Sequence, residues 1–171
     1  MKRRQLSRKS IQDVAEQIST TVKYEGGEDL RSTVERMGGK IKVVDVWNEV
    51  DQGTGSLTVW EPGQFEITIP AHTNYLRDNF TIAHELGHYV VHYLLSEEEA
   101  GKLYQANRYG SGRSEWEANW FAAAFLMPEE KYRTVFSEYC GDLARIAQRF
   151  GVSVSAARVR AQALGLLNGK D

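Results

Sequence analysis

Two histidines and a glutamate at fixed spacing form the part of this sequence best suited to chemistry. His84, Glu85 and His88 make the pattern H-E-x-x-H within the stretch 80–94, FTIAHELGHYVVHYL. On a helix the two histidines lie one turn apart on one face, so both imidazoles can reach the same metal ion. Glu85 lies about 60° round the axis from His88, where it can act on a water molecule without being a ligand. The pattern therefore predicts a metal-dependent hydrolytic site.

Apolar residues flank the motif on nearly all sides, which predicts a buried central helix over 80–94. Asp78 or Asn79 is expected to cap the beginning of this helix. Gly87 lies between His84 and His88, although glycine costs a helix about 1 kcal/mol relative to alanine. We therefore expect another part of the chain to approach closely at Gly87.

A third ligand is expected outside the motif, because catalytic zinc sites have three protein ligands and a water. The stretch 114–127, SEWEANWFAAAFLM, is predicted to be a helix. Glu115 and Asn119 share one of its faces, so Glu115 is the expected ligand and Asn119 can hold an imidazole by its second nitrogen. Glu117 lies about 200° round from Glu115. Because it follows Ser114 by three residues, Glu117 is expected to complete a capping box.

The remaining histidines have weaker claims to the metal. His92 extends the histidine stripe by another turn, but three histidines on one straight helix cannot surround a tetrahedral ion. We expect it to be structural or to face the substrate. His72 lies in a loop before the central helix and has no special claim. A hydrogen-bond donor is also expected to stabilise the oxyanion. Arg113, His92 and several tyrosines are candidates, and the sequence does not choose among them.

The elements that must position these residues are mainly helical. Strands are predicted over 41–46, 57–60 and 65–69, and helices over 11–24, 29–37, 80–94, 114–127, 129–138, 142–150 and 153–166. The strands follow one another with short connections, so we expect an α+β protein in which a small three-stranded antiparallel sheet packs with a mainly helical domain. At 171 residues the chain is expected to be one domain, 1–171.

Composition narrows the class of protein. The chain is 42% hydrophobic and 26% charged, as is typical of soluble globular proteins, and its net charge of −2 gives no overall attraction to nucleic acid. Cys140 is the only cysteine, which excludes an internal disulfide framework and favours a reducing compartment. The sequence contains no apolar stretch of membrane-spanning length, and no apolar core of a secretory leader follows the first ten residues. We therefore expect a cytoplasmic protein without membrane association.

Two basic stretches suggest a different function, the binding of nucleic acid. Residues 1–10 form a basic tail that is expected to be solvated. The stretch 142–166 has the outline of a helix-turn-helix, with Gly151 and Ser153 at its turn, and no acidic residue occurs over 143–170. DNA binding stays open, but the patch is small and the sequence pI is 6.1, so a hairpin of helices packed on the rest of the chain is preferred. Arg158 and Arg160 are then expected to help dock a protein substrate.

The two motif-bearing stretches together resemble a known family. TIAHELGHYVVH, followed after a polar segment by EWEANWFAAAFLMP, is similar to the ImmA/IrrE family of zinc metallopeptidases. The preceding FEITIPAHTNYLRDNF resembles that family's strand and arginine-containing lead-in. The ending LARIAQRFGVSVSAARVRAQALGL resembles its C-terminal helices. The resemblance covers residues 40–166.

The resemblance implies a gluzincin-like arrangement with one zinc ion (Zn2+) per chain. His84, His88 and Glu115 are then the ligands and Glu85 is the catalytic base, although the family's glutamate can also be aligned at Glu117. The resemblance further implies an endopeptidase that cleaves a helix-turn-helix repressor encoded nearby, in mobile-element or stress regulation. The alternative is a DNA-binding or protein-binding regulator with a structural metal site. A third reading is a metal-dependent stress sensor that acts by binding alone. Glu85 argues against this third reading, since holding a metal needs no base.

Overall fold

Helices pack with one small sheet in this α+β structure, a computed structural model that describes residues 6–45, 55–96, 102–106 and 112–168. The helices are α1 (Arg8–Thr21), α2 (Leu30–Arg36), α3 (Tyr75–Gly87), α4 (Arg113–Leu126), α5 (Glu129–Glu138), α6 (Leu143–Phe150) and α7 (Val154–Ala163). A π-helical segment, His88–Leu94, continues α3. The strands are β1 (Gly39–Val44), β2 (Ser56–Glu61), β3 (Gln64–Pro70) and β4 (Tyr104–Gln105).

The sheet is mixed and has four strands in the order β1-β3-β2-β4. The prediction of a three-stranded antiparallel sheet is therefore wrong, although the α+β class is right. β2 and β3 form an antiparallel hairpin, whereas β1 lies parallel to β3 with Ile41 opposite Ile67. Residues 45–63 separate β1 from β3, a length that suffices for the crossover that parallel pairing needs. The short β4 pairs with the other edge of β2.

The central helix begins earlier than the sequence predicts and changes its winding in the middle. Asn74, rather than Asp78 or Asn79, is the N-cap, and its side chain accepts a hydrogen bond from the Arg77 amide. From His88 the helix becomes π-helical, with the amide of Leu95 bonded to the carbonyl of Val90. Such turns occur frequently at functional sites.

Helix α4 packs against both α1 and α3, and its start also differs from the prediction. The helix begins at Arg113, and no side chain caps its first turn. The residue before it, Gly112, has a φ of 137°, a conformation that glycine adopts readily. The predicted capping box of Ser114 and Glu117 is therefore wrong. The side chain of Glu117 is instead buried between α4 and the π-helical segment.

Close contact between α3 and α4 explains Gly87. A Cβ placed on Gly87 would lie 3.0 Å from both the Cα and the carbonyl oxygen of Ala118. The close approach that the sequence predicts at Gly87 is thus present, and it lets the two helices that carry the candidate ligands run side by side.

Gly87→Ala is expected to destabilise the protein by about 1–3 kcal/mol, because the added methyl group forces the two helices apart. This loss outweighs the gain of about 1 kcal/mol that alanine brings to a helix. Urea unfolding measures the change. Thr134→Ala on the exposed side of α5 is the control, since it brings a helix-favouring alanine without a clash. Equal or higher stability of Gly87→Ala would contradict this account of the helix contact.

The N-terminal helix and the C-terminal helices are anchored to the same core. Ser7 caps α1, which begins at Arg8, so the last residues of the predicted tail 1–10 are helical. Gly151, with φ of 62°, ends α6, and Ser153 caps α7, as the sequence predicts for this turn. Arg160 does not face a partner as expected: it is 2% exposed, bonds the carbonyl of Met127 and pairs with Glu16.

Some expectations concern parts of the chain beyond these ranges. Residues 1–5 of the tail and Val46 of the first predicted strand lie outside the described residues. The assignment of the whole chain to one domain stays a prediction. None of the described helices is long and apolar enough to cross a membrane. The cytoplasmic location stays a prediction.

Candidate metal centre

Three side chains from two helices meet where α3 passes the first turn of α4. The Nε2 atoms of His84 and His88 lie 3.1 Å apart. Glu115 places one carboxylate oxygen 3.1 Å from the former and the other 3.3 Å from the latter. Ligand atoms bound tetrahedrally to zinc at about 2.0–2.2 Å lie about 3.3–3.6 Å from one another. The spacing of these three groups therefore suits a single metal ion.

The amide of Asn119 holds the outer nitrogen of His84. Its Oδ1 lies 2.9 Å from His84 Nδ1, so the contact that the sequence predicts between Asn119 and an imidazole is present. An amide oxygen only accepts hydrogen bonds, so the proton of a neutral His84 must be on Nδ1. Its Nε2 then presents a lone pair towards His88 and Glu115.

A longer chain of side chains holds His88. Its Nδ1 lies 2.8 Å from Nδ1 of His92, whose Nε2 lies 3.1 Å from a carboxylate oxygen of Glu117. The other oxygen of Glu117 accepts a hydrogen bond of 2.7 Å from Arg113. Arg113 also donates to the backbone carbonyl of Leu6, so the chain reaches the residue before the cap of α1.

When both histidines are neutral, this series of hydrogen bonds determines which nitrogen of each ring carries the proton. The Glu117 carboxylate, paired with Arg113, only accepts, so His92 donates from Nε2 and its Nδ1 is the acceptor. His88 must then donate from Nδ1, which leaves the lone pair of its Nε2 facing Glu115. His92 is 2% exposed and Glu117 is 6% exposed, so water does not compete for these bonds.

The donor set therefore fits a cation. Two imidazole lone pairs and a carboxylate converge within 4.8 Å, while the protons of both imidazoles are used in the outer hydrogen bonds. Three acceptors at such distances repel one another unless a positive charge lies between them. Imidazole nitrogens with one carboxylate are ligands that zinc accepts at catalytic sites.

Glu85 follows the candidate ligand His84 on α3, its side chain is buried, and Gly55 packs against it. A Cβ on Gly55 would lie 3.0 Å from Glu85 Oε1 and 2.5 Å from Cγ2 of Thr81, so a larger residue would displace both side chains. Sequence reasoning missed Gly55, because a glycine ahead of a strand is an ordinary turn signal. It also missed the link from His92 to Glu117.

The other residues considered as ligands or oxyanion donors have partners of their own. His72 is exposed and bonds Asp45. Arg113 and His92, two candidates for an oxyanion donor, are both bonded to Glu117. Tyr89 is buried, which raises the pKa of its hydroxyl, and its oxygen accepts a hydrogen bond from the Gly63 amide in the β2–β3 turn. His92 is buried and bonded to both His88 and Glu117, so of its two expected roles, structural or facing the substrate, it has the structural one.

Comparison with known proteins shows which family this chain belongs to. The solved structure of a Mycobacterium tuberculosis transcriptional regulator is similar with a TM-score of 0.63 and 19% identity over 89% of this chain. The chain spans 46% of that structure's length, so it corresponds to about half of it. No curated protein matches the chain. The family model described as the IrrE N-terminal-like domain, a peptidase family, matches residues 40–162. The match spans most of the chain and confirms the resemblance seen in the motifs: the chain belongs to the family of IrrE N-terminal-like peptidase domains.

Proposed function

We propose that this protein is a zinc-dependent endopeptidase whose metal is held by His84, His88 and Glu115. The observation that carries the proposal is the convergence of two imidazole lone pairs and one carboxylate beside a buried glutamate. Zinc bound there would lower the pKa of a water molecule to near 7 and polarise the scissile carbonyl. Membership of a peptidase family supports hydrolysis of a peptide bond.

The chain's own residues then have separate tasks. Glu85 takes a proton from the attacking water and passes it to the leaving amine, which is general base and then general acid catalysis. Asn119 and His92 keep the protons of His84 and His88 on the outer nitrogens, so both lone pairs stay available. Gly55 leaves room for the carboxylate of Glu85.

The substrate we propose is a helix-turn-helix repressor encoded near this protein. The IrrE-like family supports a regulatory peptidase. The solved structure with the same fold is named a transcriptional regulator, which is compatible with a repressor as the partner. Removing a repressor by proteolysis would release its genes in one irreversible step.

Cleavage of the neighbouring repressor tests this function. The zinc-loaded protein is expected to cut the purified repressor at one or a few bonds, because the centre is built for peptide hydrolysis. Intact-mass spectrometry of the fragments identifies each bond. Chelation should stop the cleavage and added zinc should restore it. Cleavage that continues at full rate after chelation and dialysis would contradict a metal-dependent mechanism.

The distribution of arginines does not favour the alternative, a DNA-binding regulator. Arg160 is buried, Arg149 bonds the carbonyl of Gly26, and Arg145 lies over the ring of Tyr139. These side chains are therefore occupied within the protein rather than aligned along one face for phosphates. In a mobility-shift titration at physiological salt we expect only weak, salt-sensitive binding. Sequence-specific submicromolar binding would instead support the regulator.

A further inference from the structure

A groove separates α7 from α1 and α4 on the surface next to the metal centre. Its volume is about 650 Å³. A smaller cavity of about 270 Å³ shares Phe80, Ser153 and Ala156 with it and reaches towards the beginning of α3. The shared residues place the two cavities side by side, and we call them together the α4–α7 groove.

Large apolar side chains line this groove and are open to solvent. Trp116 on α4 is 65% exposed, Val159 on α7 is 58% exposed and Leu76 at the far end is 38% exposed. Trp120 and Phe80 form further parts of the wall. Contiguous exposed apolar surface of this kind marks interaction sites, and tryptophan is enriched among the residues that contribute most to binding.

The groove adjoins the metal centre behind His84. Trp116 follows the candidate ligand Glu115 in the sequence, and Asn119 lines the groove and bonds Nδ1 of His84, the nitrogen that faces away from the other ligands. A segment that docks in the groove is therefore held close to the metal centre.

The charge of the side chains that line the groove indicates what kind of segment would bind there. Arg8 and Arg160 line the larger cavity and Arg77 lines the smaller one, whereas no acidic residue is among the described residues that line either. The whole chain, by contrast, has a net charge of −2. Arg160 is already paired with Glu16, so Arg8, which lies over the ring of Trp120, provides the positive charge of the larger cavity. Guanidinium groups bind carboxylates with particular strength.

We propose that the α4–α7 groove docks an acidic amphipathic segment of the substrate protein. Its apolar side chains pack on Trp116, Trp120 and Val159, while its carboxylates face Arg8. An amphipathic helix laid into an apolar groove is a common mode of peptide recognition. This inference rests on the proposed function, because the occupant is a substrate that is cut at the neighbouring metal centre.

Binding of two designed peptides tests the proposal. Both are fluorescein-labelled helical peptides with leucine at positions i, i+3, i+4 and i+7, and glutamate fills the other face of one and lysine that of the other. Fluorescence anisotropy is measured with zinc-loaded Glu85→Gln protein, so that binding is read without cleavage. The glutamate peptide is expected to bind at least about tenfold more tightly than the lysine peptide, and added salt should reduce the difference.

Variants locate the binding. Trp116→Ala and Val159→Asp are each expected to weaken binding of the glutamate peptide at least about tenfold, and Arg8→Glu should reduce the preference for it. Trp60→Ala is the matched control, since Trp60 is 51% exposed on β2 outside the groove. Circular dichroism and zinc content should be unchanged in all four variants.

The outcomes separate this proposal from the proposed function. Selective binding of the glutamate peptide that is lost in the groove variants and kept in Trp60→Ala supports docking, even if wild-type protein cuts no repressor. Equal binding of both peptides, no binding, or equal loss in Trp60→Ala overturns docking. So does wild-type cleavage of the repressor that is not slowed by Trp116→Ala and Val159→Asp. A dimer in sedimentation that Trp116→Ala dissociates would assign the groove to a second copy and also overturn the proposal.

Discussion

Glu85→Gln protein is expected to keep its fold and its zinc but to cleave substrate about 10²- to 10⁴-fold more slowly, which is the contribution typical of a general acid–base group. The amide of glutamine has nearly the shape of the carboxylate, so the contact with Gly55 is preserved. It cannot take a proton from water, however. Initial cleavage rates at saturating zinc, measured on any substrate that the wild type cuts, give the change.

Glu61→Gln on β2 is the control for this variant. It removes the same charge at an exposed position, so its cleavage rate should equal that of the wild type. Undiminished cleavage by Glu85→Gln at full zinc occupancy would show that Glu85 is not the base. Loss of zinc in the same variant would show that Glu85 is a ligand.

The second large effect is expected from the two glutamates of α4. Glu115→Gln should no longer retain stoichiometric zinc through dialysis, because it replaces one of three charged or imidazole ligands with a neutral amide. Glu117→Gln should retain zinc with an affinity about 10- to 100-fold lower, which is the range for residues that orient a metal ligand. Elemental analysis and competition with a chelator measure both variants.

The two substitutions control for each other, since each makes the same chemical change two residues apart on one helix. The amide oxygen that Glu117→Gln introduces could still accept a hydrogen bond from His92, so Glu117→Ala should lose more affinity than Glu117→Gln. Loss of zinc in Glu117→Gln with full retention in Glu115→Gln would exchange the roles assigned to the two residues.

Local periodicity is enough to predict which side chains of α3 and α4 come together at the candidate metal centre. The spacing of His84 and His88 and the shared face of Glu115 and Asn119 are properties of single helices, and the bond from Asn119 to His84 is present. The wrong role for Glu117 has a physical cause. A capping box is read from four consecutive residues, whereas the true environment of Glu117 comes from His92 on another helix. A buried histidine that needs a partner leaves no local signal.

The sheet differs from the prediction for a related reason. Period-two alternation predicts strands, but it does not say which strands pair. Here β1 pairs with β3, the second strand of the hairpin, rather than with β2, the next strand along the chain. The π-helical turn at His88 cannot be predicted from the sequence either. Apolar residues lie on all sides of this helix, so the sequence shows no periodicity that would distinguish a π-helix from an α-helix. Arginines are usually exposed, yet Glu16 and the Met127 carbonyl provide the buried Arg160 with partners that its own sequence neighbours do not reveal.

The position of the metal tests the central claim most directly. Crystals of the zinc-loaded protein, with diffraction data collected on either side of the zinc absorption edge, give an anomalous difference map that shows zinc alone. We expect one peak at bonding distance from Nε2 of His84, Nε2 of His88 and the carboxylate of Glu115. A peak between His92 and Glu117, or a zinc-loaded protein with no peak between α3 and α4, would contradict the account.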